Sequence, residues 1–237
     1  MAGVRLATGG QLTRRFFTSQ GDGGRAARRA LHRLTEWRVL ERLPRRVGGI
    51  RAGSESFVYC VGVSGARLLA ARDERVRRLG TPGDRYVNHT LTVTELLIRV
   101  EEADRNGVLD LIAAETEPQC WRRFTGPGGA RLVLKPDAFV RIGVGSLEDR
   151  WFAEVDLATE TSGTLTEKAR RYLLHYRSGN EQRSGGVYPR ILWMVPDERR
   201  REQAAAAFAR LPQELRRLMV VWRFDEVIQR LSQEASS

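Results

Sequence analysis

Residues 151–160 read WFAEVDLATE, and the apolar, strand-like run at residues 151–157 carries two carboxylates, Glu154 and Asp156. Side chains alternate along a strand, so residues two apart point to the same face. A second apolar run, LVLKPDAFV at residues 132–140, contains Asp137. A buried carboxylate without a partner is costly, so three acids on neighbouring strands favour a bound cation. Oxygen ligands of this kind suit Mg²⁺ or Mn²⁺.

Lys168 follows this strand on a predicted helix at residues 165–176. It flanks an apolar stripe on that helix, formed by Leu165, Ala169, Tyr172, Leu173 and Tyr176. A metal ion and an ammonium group together suit phosphodiester hydrolysis, because both stabilise negative charge on the reacting phosphate. The alternative is structural: the acids pair with arginines such as Arg141 or Arg150.

The rest of the C-terminal part predicts a mixed sheet covered by helices, an α/β (α+β) class. Predicted strands are residues 109–114, 131–142, 151–157, 190–195 and 219–222. Predicted helices are residues 89–105, 165–176, 198–209 and 225–231. Glu95 lies on the minor apolar face of the first of these helices, either as a site carboxylate or as a solvated glutamate. Nucleotide-binding glycine motifs are absent from the sequence.

Charge is unevenly distributed along the chain. The net charge is +11, and residues 1–80 contain 17 Arg against 6 acids, which accounts for all of it. The remainder contains 23 basic and 23 acidic residues. This asymmetry indicates two functional units, of which the first faces a polyanion.

Residues 25–37, RAARRALHRLTEW, predict an amphipathic helix. One face carries Ala27, Ala30, Leu31 and Leu34. The opposite face carries Arg25, Arg28, Arg29 and His32. A recognition helix needs this arrangement, because one face packs and the other reaches phosphates and guanine edges. The alternative is an ordinary surface helix with a solvated basic face.

The surrounding pattern favours recognition. A short helix-like run (residues 12–17) and a glycine-rich turn precede the helix, and strand-like runs at residues 39–43 and 57–61 follow it. Between the strands lies the basic loop PRRVGGIRAGSES, with Arg45, Arg46 and Arg51 placed to contact phosphates. This is the element order of a winged helix. Only about ten residues precede the first run, so we expect the first helix of such a module to be missing, through truncation or replacement by a partner.

The sequence therefore predicts a winged-helix-like DNA-binding domain over residues 1–80 and an α/β domain over residues 84–234. Cys60 and Cys120 show no zinc spacing, which predicts two reduced, buried thiols. No apolar run reaches membrane-helix length and no signal peptide is recognisable, so we expect a cytoplasmic protein without a membrane partner. The three histidines, His32, His89 and His175, are scattered and do not indicate a metal-dependent relaxase.

The chain resembles the replication-relaxation family of bacterial plasmid-associated proteins. The matching stretches are RAARRALHRL, FVYCVGVSGARLLA, HTLTVTELLIRV, KPDAFV, FAEVDLATET, LTEKARRYLLHY, YPRILWMVP and VVWRFDEVIQRL. The resemblance runs from about residue 10 over essentially the whole chain. It implies a winged helix joined to a restriction-endonuclease-like fold, with a role in plasmid replication or DNA relaxation.

The C-terminal half also resembles the PD-(D/E)XK nucleases, with Asp137 and Glu154 at the matching positions. The lysine of that pattern is replaced by Asp156, and Lys168 is a relocated candidate.

Three hypotheses follow. The first is a non-catalytic accessory or regulatory protein that binds duplex DNA. The second is an Mg²⁺- or Mn²⁺-dependent endonuclease or nickase that uses Asp137, Glu154, Asp156, Lys168 and Glu95. The third is a protein-interaction scaffold on a degenerate nuclease fold. The DNA-binding hypothesis is compatible with a protein partner in a replication or relaxation complex. It is also compatible with a homodimer that binds two half-sites.

Overall fold

The structure is a computed structural model that describes residues 3–17, 23–43, 57–71 and 82–234. The chain divides into two compact units, Met1–Glu102 (unit 1) and Ala103–Ser237 (unit 2). The division falls inside a long helix, further along the chain than the boundary expected between residues 80 and 84.

Unit 1 has the element order predicted for its helices and strands, with one short strand in front. The elements are β1 (Ala7–Thr8), α1 (Gly9–Phe16), α2 (Gly23–Glu36), β2 (Leu40–Arg42), β3 (Val58–Val61), α3 (Val63–Ala70) and most of α4 (Asp84–Arg105). β3 lies between β1 and β2 and pairs antiparallel with both.

Local sequence explains how the two basic helices are placed. Thr8 caps α1: its hydroxyl accepts from the Gln11 backbone N–H, and the Gln11 side chain accepts from the Thr8 N–H. The apolar face of α2 packs as predicted, with Leu31 in a cluster that includes Leu12 and Tyr59. Ala27 is also buried. The basic face of α2 is thereby fixed outward.

The first turns of α4 pack on the sheet of unit 1, where Val87 joins a buried cluster with Leu6 and Cys60. Thr94 donates to the Leu6 carbonyl (2.7 Å), and the Gln11 amide donates to the Leu91 carbonyl (3.0 Å). A segment later in the sequence thus covers this face of the small sheet.

Unit 2 is built on a mixed five-stranded sheet, as the sequence predicts. Its strands are β4 (Asp110–Thr116), β7 (Ala138–Val144), β8 (Leu147–Val155), β9 (Arg190–Val195) and β10 (Met219–Arg223). The order is β10-β9-β8-β7-β4, in which β8, β9 and β10 are parallel and β4, β7 and β8 antiparallel. The helices of unit 2 are α5 (Ser162–Ser178), α6 (Asn180–Gly185), α7 (Glu198–Phe208), α8 (Gln213–Arg216) and α9 (Val227–Glu234).

The prediction of a single strand over residues 131–142 is wrong. The chain instead forms β6 (Arg131–Leu134), which pairs with β5 (Arg122–Thr125) in a separate hairpin, and then β7. Pro136 lies in the break, where its missing N–H would cost a ladder hydrogen bond. Asp137 therefore lies immediately before β7.

The two faces of β8 serve different clusters. Phe152 packs against Tyr172 of α5 with ring centroids 5.9 Å apart, while Trp151, on the opposite face, packs against Trp222 at 5.3 Å. Cys60 and Cys120 are both buried thiols, as expected. None of the helices in the described part of the chain has the length and apolar composition needed to cross a membrane.

Candidate functional site

The basic face of α2 lies on the surface of unit 1. Arg25, Arg28, Arg29 and His32 are all exposed, opposite the buried Leu31. Arg28 makes no hydrogen bond or ion pair with any described residue. His32 Nδ1 lies 3.3 Å from a Glu36 carboxylate oxygen. The helix therefore presents guanidinium groups to solvent on one side.

The arginines of the neighbouring α1 are held by acids of α4. Arg14 donates from Nε to Glu102 at 2.8 Å and pairs with Glu95 at 2.7 Å. Arg15 pairs with Glu101 at 2.6 Å. These arginines fasten two helices of one unit together, and their charge is largely neutralised.

The proposed wing arginines Arg45, Arg46 and Arg51 lie outside the described residues. β2 and β3, which precede and follow these residues in the chain, pair antiparallel in the register Leu40↔Val61. The two runs predicted as strands on either side of the loop are therefore strand partners.

In unit 2, Asp137 and Glu154 come together on adjacent strands. Ala138 of β7 lies opposite Ala153 of β8, which brings Asp137 beside the end of β8. The Asp137 carboxylate accepts from the Val155 N–H at 2.8 Å. Both acids are buried. They face α5, because Glu154 accepts from the Tyr172 hydroxyl at 2.6 Å.

Burial raises the pKa of Glu154 to about 8, and the nearby charge of Asp137 adds to the effect. Lys168 acts in the opposite direction, with its ammonium nitrogen 3.6 Å from Glu154 Oε2. That oxygen is buried and has no hydrogen-bond partner among the described residues. Without a further cation the Glu154 carboxyl therefore favours its protonated form near neutral pH.

Lys168 lies between two glutamates. Its ammonium is 3.0 Å from Glu160 Oε1 as well as 3.6 Å from Glu154. Burial alone would lower the pKa of Lys168, but the negative charges of Glu154 (when it is ionised), Asp137 and Glu160 outweigh burial and raise that pKa. Lys168 is thus a persistent cation within this cluster.

The structure does not bring Asp156 into the same cluster. Its carboxylate accepts from Arg200 Nε at 2.7 Å and from the Ala158 N–H at 2.9 Å. Arg200 also donates to the Glu160 carbonyl at 2.7 Å. Asp156 and Arg200 are both buried, so they form an internal ion pair that fixes the turn after β8.

The comparison with known families bears on both sites. The family model for replication-relaxation proteins matches residues 1–191. This chain belongs to the replication-relaxation family. The match includes α2, Asp137, Glu154 and Lys168, whereas Arg200 lies beyond it. No curated protein matches the chain.

The metal site implied by the nuclease resemblance fits this replication-relaxation protein only with a reduced ligand set. Among residues 3–17, 23–43, 57–71 and 82–234, no group of three His, Cys, Asp or Glu side chains has an arrangement suited to a metal ion. Asp137 and the unbonded Glu154 Oε2 are the two donors that would hold one. Mg²⁺ accepts such sites, since it often takes one or two carboxylates and keeps several waters.

Three other residues considered in the sequence analysis have partners other than the acids of this cluster. Glu95 belongs to unit 1, where it pairs with Arg14 and accepts from the Gln11 amide at 3.1 Å. Arg141 and Arg150, considered as partners of the buried acids, both pair with Glu148 instead, at 2.9 Å.

Sequence reasoning missed Glu160, Tyr172 and Arg200 as neighbours of the acids. Tyr172 was assigned only to the apolar stripe of α5, and its hydroxyl reaches Glu154 because that stripe faces the strand end. Arg200 lies 44 residues from Asp156, so no local spacing connects them. Cys120 was also missed: its thiol donates to the Pro136 carbonyl at 3.0 Å, directly before Asp137.

Proposed function

We propose that this protein acts on replicating or relaxing plasmid DNA by binding the duplex through the exposed basic face of α2. The observation that carries the proposal is the exposure of Arg25, Arg28 and Arg29 on a helix whose other face is packed. Membership of the replication-relaxation family supports a DNA substrate.

The mode of binding follows from dimensions and charge. An α-helix fits the major groove, where arginines reach guanine edges and phosphates. The basic segment 44–56, which the sequence predicts as a wing, would add contacts from Arg45, Arg46 and Arg51 to the DNA phosphates. His32 would lie on the same face of the helix. A homodimer on two half-sites and a protein partner in a replication complex are extensions of this proposal.

The first test is duplex binding by the double variant Arg28→Ala, Arg29→Ala over a range of salt concentrations. Each lost phosphate contact lowers the slope of log affinity against log salt by about 0.9, so we expect weaker binding and a slope smaller by roughly 1 to 2. The matched control is Arg216→Ala, Arg217→Ala, which removes two exposed neighbouring arginines from unit 2. Equal binding by the two double variants would refute the assignment of α2.

A second candidate function is Mg²⁺- or Mn²⁺-dependent cleavage of DNA in unit 2. The observation that favours it is the convergence of Asp137, Glu154 and Lys168 at the ends of adjacent strands. Asp137 and Glu154 would hold the metal ion, which would activate water and neutralise the phosphate. Lys168 would stabilise charge that develops on the phosphate oxygens. Asp156, bound by Arg200, would position the turn.

Plasmid nicking separates the two candidates. The measurement compares wild type, Asp137→Ala and the control Asp110→Ala, an exposed acid on β4, with magnesium, with manganese and with chelator. Metal-dependent nicking that only Asp137→Ala abolishes would support an endonuclease. Nicking retained by Asp137→Ala would exclude this site. Absence of nicking with DNA binding intact would leave a binding protein, and the scaffold hypothesis would gain support if DNA binding were absent too.

A further inference from the structure

The β5–β6 hairpin of unit 2 lines a basic pocket that the proposed function does not use. The pocket has a volume of about 580 Å³. Three arginines line it, Arg123, Arg131 and Arg183, together with the polar side chains of Ser178 and Asn180. All three arginines are exposed.

The strand register explains why the two hairpin arginines share a face. Thr125 lies opposite Arg131, and Arg123 lies two residues before Thr125 on the same strand. Alternation therefore places Arg123 and Arg131 on one face of the hairpin. The residue between Arg123 and Thr125, Phe124, is buried and packs its ring against His175. The core contact thus fixes which face is turned outward.

These arginines differ from their neighbours in having no acidic partner. Neither Arg123 nor Arg131 forms an ion pair within residues 103–234, and Arg183 donates to the Asn180 side-chain oxygen. The nearby Arg122 is instead held by Glu115 and Glu181, each at 3.1 Å. No Asp or Glu lines the pocket.

The clustering is not a consequence of overall charge. Unit 2 contains 21 Lys and Arg residues against 19 acids, so a randomly placed group of three arginines would be expected to have acids beside it. Three like charges held close together without a counter-ion repel one another. That cost is removed when a polyanion binds.

We propose that this arginine pocket, formed by Arg123, Arg131 and Arg183, is a second binding surface for the phosphates of duplex DNA. Guanidinium groups bind phosphate with paired hydrogen bonds, and the side-chain NH₂ group of Asn180 adds a neutral donor. The tip of the hairpin is Pro127–Gly129, where Gly128 and Gly129 carry no side chain to obstruct a broad ligand. The inference rests on the proposed function in taking DNA as the ligand, but it assigns a surface in a different unit.

The test is the triple variant Arg123→Ala, Arg131→Ala, Arg183→Ala of the full chain, titrated with duplex DNA over a range of salt concentrations. Loss of three phosphate contacts predicts weaker binding and a log–log salt slope smaller by roughly 2 to 3. The corresponding triple Lys variant retains the charge and should keep most of that slope. The matched control, Arg199→Ala, Arg210→Ala, Arg217→Ala, removes three exposed and unpaired arginines elsewhere in unit 2 and should change the slope little.

The same triple variant is also made in the Arg28→Ala, Arg29→Ala background, so that the two surfaces are judged separately. A reduced slope in both backgrounds supports the arginine pocket. If the triple variant reduced the slope while Arg28→Ala, Arg29→Ala bound DNA as wild type does, the α2 proposal would be refuted and the arginine pocket would still be supported. An effect no larger than that of the control triple, or the same loss in the Lys variant, would overturn the arginine pocket.

Discussion

Arginines on two neighbouring helices of unit 1 are used in opposite ways. Arg14 and Arg15 of α1 are fastened to Glu95, Glu101 and Glu102 of α4. Arg28 of α2 is exposed and makes no ion pair with any described residue, on a face that α4 does not cover in any described contact. The difference shows that the count of arginines in the first third of the chain overstates the charge available to a ligand. What decides the matter is whether an acid from a distant segment packs beside each arginine.

Unit 2 repeats this contrast within one helix. Arg199 of α7 is exposed, whereas the next residue, Arg200, is buried against Asp156. The buried pair stabilises the fold, whereas Arg199 makes no hydrogen bond or ion pair through its side chain with any described residue. Substitutions at these positions separate arginines that stabilise the fold from arginines that are available for binding.

The largest effect on stability is expected from Arg200→Ala. This change leaves the Asp156 carboxylate, which is 2% exposed, without its cationic partner. Removal of one member of a buried ion pair typically costs about 3–5 kcal/mol of the free energy of unfolding. Urea denaturation measures the loss, with Arg199→Ala as the neighbouring control, expected within about 0.5 kcal/mol of wild type. Equal stability of the two variants would contradict the structural role of Arg200.

That role also marks the limit of what the sequence could predict. Periodicity predicted β9 with its observed bounds, Arg190–Val195, and the packed face of α2, because both patterns are local. The pairing of Asp156 with Arg200 depends on how α7 packs near the end of β8, which no spacing in the sequence encodes. The sequence therefore predicted that Asp137, Glu154 and Lys168 lie together. It also placed Asp156 with them, on strand alternation alone, whereas Asp156 pairs with Arg200.

Glu154 should make stability depend on pH in the absence of metal. Its pKa of about 8 lies above the ordinary 4.5, so between these values the folded protein holds a proton that the unfolded chain has released. Stability therefore falls as pH rises, by up to about 1.4 kcal/mol per pH unit. Burial lowers the pKa of His175 from 6.5 to about 4. Its effect has the opposite sign and is confined to pH below about 6.5, so the clean window is pH 6.5 to 8.

Urea denaturation in chelator across this window provides the measurement. Glu154→Gln keeps an acceptor for the Tyr172 hydroxyl and should abolish the slope. Glu148→Gln on the same strand should not, because hydrogen bonds from Arg141 and Arg150 lower the pKa of Glu148 to about 2, outside the window. A wild-type curve that is flat from pH 6.5 to 8 would show that Glu154 is ionised throughout.

Arg14→Ala should have a smaller effect on folding than Arg200→Ala. The Arg14 side chain is 39% exposed, so solvent screens its pairs with Glu95 and Glu102, and the expected loss is about 1 kcal/mol. The same change should leave the salt dependence of DNA binding nearly intact, because this arginine is already neutralised. A drop in the salt slope as large as that of the Arg28→Ala, Arg29→Ala variant would mean that α1 contacts DNA directly.

Arg28→Ala alone should have the smallest effect on folding, within about 0.5 kcal/mol, because Arg28 is exposed and has no partner among the described residues. Its effect on duplex affinity should nevertheless exceed that of Arg14→Ala, since an arginine without an acidic partner loses no ion pair when it binds a phosphate. Thermal unfolding and DNA titration of the two single variants measure both quantities on the same samples. If Arg28→Ala lowered both stability and duplex affinity, α2 would act through the packing of unit 1. If Arg14→Ala cost more stability and Arg28→Ala cost more affinity, then Arg14 holds two helices together and Arg28 contacts the DNA.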